Sequence, residues 1–177
     1  MLTEHPEVEF VQLQINYLDW ESEGVQSRKC YEVATKHNKP VIVMEPVKGG
    51  RLIQLPEEAK AVFDRRNGGS YASYAIRYCS SFPGIFMVLS GMSDMEQMED
   101  NISYMKEFQP FSEEEYKAVE EVRDILKKQD SIPCTECKYC VDGCPMKISI
   151  PSLFDFYNDK MIYDWKTETH YQDTTKD

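Results

Sequence analysis

The sequence predicts an α/β chain: three strands of a parallel sheet joined by crossover helices, then a small, mainly helical, cysteine-rich module. Two observations carry this. From residue 8 onward, short apolar runs alternate with stretches of helical periodicity. Near the end, four of the six cysteines fall inside one short run. The length of 177 residues suits one domain, or one domain with a small appendage. The expected division is a sheet-and-helix part over 1–129, the cysteine module over 130–165 and a polar tail over 166–177.

The first strand, about residues 10–17, alternates Val11, Leu13, Ile15 and Tyr17 on one face with Gln12, Gln14 and Asn16 on the other. The second and third, residues 40–44 and 85–89, are near-continuous apolar runs of the kind buried on two sides. A polar stripe on one strand of such a sheet marks a place for ligands, or amides that satisfy each other.

Two crossover helices are expected between the strands. Residues 26–37 carry Cys30, Val33, Ala34 and His37 on one face, and residues 70–82 carry Ala72, Ala75, Ile76 and Cys79. Cys30 and Cys79 therefore read as core thiols. With only His5, His37 and His170 present, no histidine-centred nucleophile is credible. Capping boxes place helix starts at Ser93 with Glu96 and at Ser112 with Glu115, the latter flanked by Phe111 and Tyr116 as a hydrophobic staple. The helix after Ser112 is expected to run to about Lys128, acidic at its start and basic at its end. A short linker over 130–133 follows, and after Pro151 a short helix through Leu153, Phe156 and Tyr157. From Thr167 the tail is polar and expected to fray.

The run Cys-Thr-Glu-Cys-Lys-Tyr-Cys-Val-Asp-Gly-Cys-Pro places Cys134, Cys137, Cys140 and Cys144 in the C-x2-C-x2-C-x3-C-P spacing of bacterial ferredoxins, so these four are the expected ligands of a 4Fe-4S cluster. Zinc accepts the same donors, but zinc ribbons separate two C-x2-C knuckles by a longer stretch. Spacing and the trailing proline favour iron-sulfur. In two-cluster ferredoxins the last cysteine of this run serves the other cluster. Either Cys144 closes a single cluster, the favoured reading, or a partner supplies the missing half. With no signal peptide and no apolar run long enough to span a bilayer, a cytoplasmic protein is expected rather than a disulfide framework. A formal net charge of −11 argues against nucleic acid or an anionic membrane as partner.

Two further segments suit a phosphate-bearing cofactor. Residues 44–52 read Met-Glu-Pro-Val-Lys-Gly-Gly-Arg-Leu, where Gly49 and Gly50 permit close backbone approach and Lys48 and Arg51 add positive charge. Residues 90–101 place Gly91 and a capped helix start directly after a strand, which favours an anion.

Taken together, Phe-Val-Gln-Leu-Gln-Ile-Asn-Tyr, Val-Ile-Val-Met-Glu-Pro-Val-Lys-Gly-Gly and Val-Leu-Ser-Gly-Met-Ser-Asp-Met-Glu-Gln-Met-Glu-Asp-Asn-Ile resemble the sixth, seventh and eighth barrel strands of the aldo-keto reductases. The resemblance is specifically to the branch of oxidoreductases with a ferredoxin-type cluster after the barrel. The resemblance covers nearly all of residues 8–157. It implies the C-terminal portion of a TIM-type (β/α)8 barrel followed by a ferredoxin-like module. It also implies an NAD(P) cofactor bound in extended form and hydride exchange with a small-molecule carbonyl substrate. Gln14 would meet the nicotinamide carboxamide, the turn over 47–52 would lie on the pyrophosphate, and Gly91, Ser93, Gln97 and Asn101 would surround the adenosine end.

Three departures bear on this. The family's stacking aromatic is replaced near Glu45. Asp94, with Glu96 and Glu99 beyond, stands where many members hold a 2′-phosphate with a cation, so such a phosphate would be repelled. NADH against NADPH stays open. The family's Asp, Tyr, Lys and His catalytic group belongs to the first four strands and has no counterpart here. The expectation is therefore a truncated product, a piece, or one part of a split assembly, with an open sheet edge inviting self-association. The alternative is a non-enzymatic electron-transfer or docking subunit using only the cluster.

Overall fold

The computed structural model describes all residues except 67, 129–131, 133, 135–136, 164–171 and 173–177. Its elements run β1 (Val11–Gln14), α1 (Ser27–Lys36), β2 (Val41–Met44), a 3-10 turn (Lys48–Gly50), α2 (Glu57–Asp64), α3 (Tyr71–Ser80), β3 (Ile85–Val88), α4 (Met95–Met105), α5 (Glu113–Lys128), α6 (Tyr139–Asp142) and α7 (Ile150–Tyr163). The three strands form a parallel sheet in the order β1-β2-β3. Leu13 lies opposite Val43 and Gln14 opposite Met44, while the β2-β3 register shifts between Val41 and Ile42. All three carboxyl ends therefore open on one side, where α/β folds place their ligands.

The core lies between the sheet and the helices. Ile15, Tyr17, Val41, Val43, Leu52, Phe63, Tyr74, Cys79, Val119 and Val122 are fully or almost fully buried. Phe63 stacks on Tyr74 at 4.0 Å, binding α2 to α3. The Cys79 thiol lies 3.1 Å from the Ile15 carbonyl, and burial pushes its pKa well up. It is the core thiol the pattern predicts.

Several expectations are corrected. Cys30 is exposed. The inward face of α1 is Ser27, Tyr31 and Ala34, because Tyr31 packs against Trp20 and Phe82, which rotates Cys30 and Val33 toward solvent. Strand β3 is not buried on both faces: Phe86 is 70% and Met87 46% exposed, and among the described residues β3 is the last strand of the sheet. The first strand is shorter than predicted. After Gln14 the chain turns, with Asn16 Oδ1 accepting from the amides of Leu18 and Asp19. Helix α2 has no counterpart among the predicted elements, although Pro56 followed by Glu57 and Glu58 is a start signal.

At α4 the cap is Asp94, not Ser93. Asp94 Oδ1 accepts from the Gln97 amide at 2.8 Å, and Gln97 Oε1 returns to the Ser93 amide at 2.9 Å. The box exists, displaced by one residue. At α5 it stands as predicted: Glu115 donates its amide to Ser112 Oγ at 3.2 Å and accepts from the Ser112 amide at 2.8 Å. Phe111 and Tyr116 pack edge to face at 5.1 Å, and the helix ends at Lys128. Helix α7 begins at Ile150, earlier than predicted, since Pro151 is tolerated in a first turn. Most of the predicted linker and the polar tail lie outside the described residues.

Candidate functional site

At the carboxyl end of β1 and β2, a compact polar network forms around Asp19. Its carboxylate receives Lys48 Nζ at 2.8 Å on both oxygens. Asn16 donates to it at 2.9 Å and Gln14 at 2.8 Å. The two amides thus serve a shared acceptor rather than each other. Burial would push the Asp19 pKa up, but the Lys48 charge and the three donors more than offset this and hold it below the usual range. Asn16 also donates to the Glu45 carbonyl at 3.1 Å, tying β1 to the turn after β2.

That turn has an unusual backbone. Glu45, Lys48, Gly49 and Gly50 all have positive φ, at 56°, 50°, 60° and 91°. Glycine takes such angles freely, whereas Glu45 and Lys48 pay for them. Arg51 follows, directed at Asp159, with Asp155 at 3.5 Å on the same guanidinium nitrogen. Both acids belong to α7. Burial pushes the Asp159 pKa up, only partly countered by Arg51.

A groove of about 1570 Å3 lies between this turn and the start of α4. Gly49, Gly50, Gly91, Ser93, Gln97 and Asn101 all line it, so the structure unites six of the predicted cofactor residues. Gln14, Lys48 and Arg51 are not in its wall. Lys48 and Arg51 are instead held by Asp19, Asp155 and Asp159.

Glu45, Asp64, Asp94, Glu96, Glu99 and Asp100 also line the groove, and among the described residues no lysine, arginine or histidine does. Its size suits an extended ligand, while its charge opposes a 2′-phosphate. Gln97 and Asn101 hold the groove wall in shape. Gln97 Nε2 donates to Asp94 at 2.8 Å, and Asn101 Nδ2 donates to Ser90 Oγ at 2.9 Å.

Within the cysteine run, α6 carries Cys140, and Cys144 follows its end. Cys134, Cys137 and Cys140 are exposed, Cys144 is half-buried, and none of the six cysteines forms a disulfide. Asn158 of α7 closes the loop's base, accepting from the Ile132 amide at 2.7 Å and donating to its carbonyl at 3.0 Å. Four thiols on one loop are the right donors for an iron-sulfur cluster or zinc. Among the described residues, however, no three or more of cysteine, histidine, aspartate and glutamate are gathered to hold a metal. The predicted ligands are chemically apt, and their side chains are not drawn together among the described residues.

Asp19, Asn158, Asp155 and Asp159 are structural anchors that the sequence reading did not single out. Asp155 and Asp159 had a signal, being four apart on one helical face. Asp19 lies in an irregular turn and had none.

Residues 1–124 match the aldo/keto reductase family. No curated protein matches the chain. Among solved structures, it is similar to aldo-keto reductase AKR11C1 from Bacillus halodurans in its holo form, at 18% identity and a TM-score of 0.52, over 68% of this chain and 46% of that one. The apo form gives the same values. This chain thus spans about half the length of those structures. Among the described residues, no helix is long and apolar enough to cross a membrane.

Proposed function

This chain belongs to the aldo/keto reductase family, and on that premise we propose that it supplies the dinucleotide-binding part of an oxidoreductase acting on a small carbonyl substrate. The observation that carries the reading is the groove, where two separate glycine-bearing turns meet at the carboxyl ends of parallel strands. Gly49 and Gly50 would lie along the pyrophosphate, and Gly91, Ser93, Gln97 and Asn101 along the adenosine end. Gln14, outside the groove wall with its Nε2 given to Asp19, would have to turn toward the groove to meet the carboxamide. The bound nicotinamide supplies hydride chemistry. Within this chain the residues bind and orient, and no proton donor is assigned.

The six groove carboxylates favour NADH over NADPH, because an added phosphate dianion meets only like charge. Titrating the full chain with both nucleotides tests this. Saturable NADH binding with NADPH about tenfold weaker or worse supports the proposal, and equal or stronger NADPH binding defeats the charge argument.

We further propose that residues 130–165 are a distinct module in which Cys134, Cys137, Cys140 and Cys144 hold a 4Fe-4S cluster, with a cytoplasmic setting that keeps the thiols reduced. The support is the ferredoxin spacing and the solvent-facing loop. Anaerobic preparation should yield iron and labile sulfide with absorbance near 400 nm, whereas stoichiometric zinc without sulfide would replace the cluster by a structural ion.

A second reading, an electron-transfer or docking subunit, is favoured by one observation: Lys48 and Arg51 are already committed to carboxylates. A redox-active cluster in protein that binds neither nucleotide would select it. The uncovered β3 edge, with Phe86 and Met87 exposed, is where self-association would occur.

A further inference from the structure

The turn after β2 is built in two layers. Glu45, Pro46, Val47, Gly49 and Gly50 face the groove, whereas Lys48 and Arg51 do not line it. Each residue of the hidden layer ends in an ion pair. Lys48 reaches Asp19 in the segment after β1, and Arg51 reaches Asp155 and Asp159 on α7, more than a hundred positions away in sequence. The backbone so held is costly, with two non-glycine residues, Glu45 and Lys48, in the left-handed region. Such angles persist where surrounding structure over-determines them.

The pairing with α7 is no loose surface contact. Asp159 is 8% exposed, and Ile162, one turn on, packs against the core cluster. The turn's own bonds, such as Gly50 to the Val47 carbonyl at 3.0 Å and Arg51 to the Lys48 carbonyl at 3.1 Å, close it on itself. They do not attach it to anything else. Attachment comes from Val47 and Leu52, which pack on the core, from Asn16, which donates to the Glu45 carbonyl, and from the ion pairs of Lys48 and Arg51.

We propose that Asp155 and Asp159 are positioning residues for the groove: through Arg51, helix α7 holds the left-handed turn that forms one groove wall. Arg51 is then a tether, and the charge it carries is spent on the protein rather than on a ligand. The same helix carries Asn158, which clamps Ile132 at the base of the cysteine loop. The inference concerns the shape of the groove and holds whichever ligand it takes.

Hydrogen exchange on the full chain tests it without any ligand. In a variant carrying Asp155→Asn and Asp159→Asn, which preserves side-chain shape, amides of residues 45–54 should exchange about tenfold faster, with those of Tyr71–Ser80 unchanged. A charge swap, Arg51→Asp with Asp159→Arg, should return the turn to slow exchange, while Arg51→Asp alone should not. Unchanged exchange over 45–54 in the double-Asn variant overturns the proposal. So does equal acceleration over Tyr71–Ser80, which would mean general loosening. NADH affinity in the same variants reads the ligand question separately: lost binding in the parent chain would sink the dinucleotide proposal and leave this one standing.

Discussion

Lys48 holds both carboxylate oxygens of Asp19 at 2.8 Å, and this pair joins the segment after the first strand to the turn after the second. Asp19 is nearly buried and Lys48 mostly so, with side chains 8% and 22% exposed. Removing one partner leaves a desolvated charge without its counter-ion. Asp19→Ala should therefore cost about 2–4 kcal/mol by urea denaturation. The double change Asp19→Leu with Lys48→Met should cost less, because no orphaned charge remains. A single variant as stable as the parent would show that the pair contributes little.

The same carboxylate gives a pH dependence with a definite sign. Its pKa is lowered in the folded protein from an ordinary value of 3.8, so the unfolded chain binds more protons near that pH and stability rises with pH there. The contribution is complete above the ordinary value and is lost as pH falls through the lower folded one. Glu115, half-buried and held below its usual range by Arg77 and Ser112 despite the desolvation, acts in the same direction. The stability gap between parent and Asp19→Asn should narrow steadily below about pH 4. A gap that stays constant to the acid limit would contradict the lowered value.

Thiol accessibility separates the cysteines. With Cys30, Cys134, Cys137 and Cys140 exposed, Cys144 half-buried and Cys79 buried, metal-free native protein should react at five thiols with an aromatic disulfide reagent. Cys79 should react only on unfolding. Loading the module with iron and sulfide, or zinc, should leave Cys30 alone reactive. Retained reactivity at Cys134 or Cys144 after loading would remove that residue from the ligand set.

The displaced cap at α4 yields a comparison between neighbours. Asp94→Ala should lower stability by about 1 kcal/mol, as should Ser112→Ala at α5, because each removes an oxygen that holds an orphan amide. Ser93→Ala should cost less, since Ser93 gives the box its backbone amide at 2.9 Å and only a longer hydroxyl contact to the same Gln97 oxygen at 3.3 Å. If thermal unfolding shows Ser93→Ala to be the costly change, the cap belongs to Ser93 after all.

How much of this was legible depended on whether the governing interaction was local. Helix α5 could be read to its ends, because the Ser112–Glu115 box, the Phe111–Tyr116 staple and the closing lysines all act within one helix. The strands and their parallel order were readable from apolar runs separated by crossover helices. Cys30 was misread because a twelve-residue pattern does not say how far a helix rolls when Tyr31 finds Trp20 and Phe82. The cap at α4 slipped by one residue because Ser93 and Asp94 are both good caps with a glutamate or glutamine three residues on. Only the three-dimensional path of the chain chooses between them.

What the sequence determined by itself was the chemistry carried on this chain: an α/β sheet of a known family, two glycine-bearing turns after strands, and four cysteines at iron-sulfur spacing. All of it follows from residue type and separations of a few positions, over which backbone geometry is nearly fixed. What the tertiary structure alone decided was where the charges went. Lys48 and Arg51, placed by their spacing as ligands for a phosphate, are drawn to Asp19, Asp155 and Asp159. Six carboxylates from separate segments line the groove instead. Coulombic partners are chosen by distance in space, and the chain separation of Arg51 from Asp159 carries no trace of that distance.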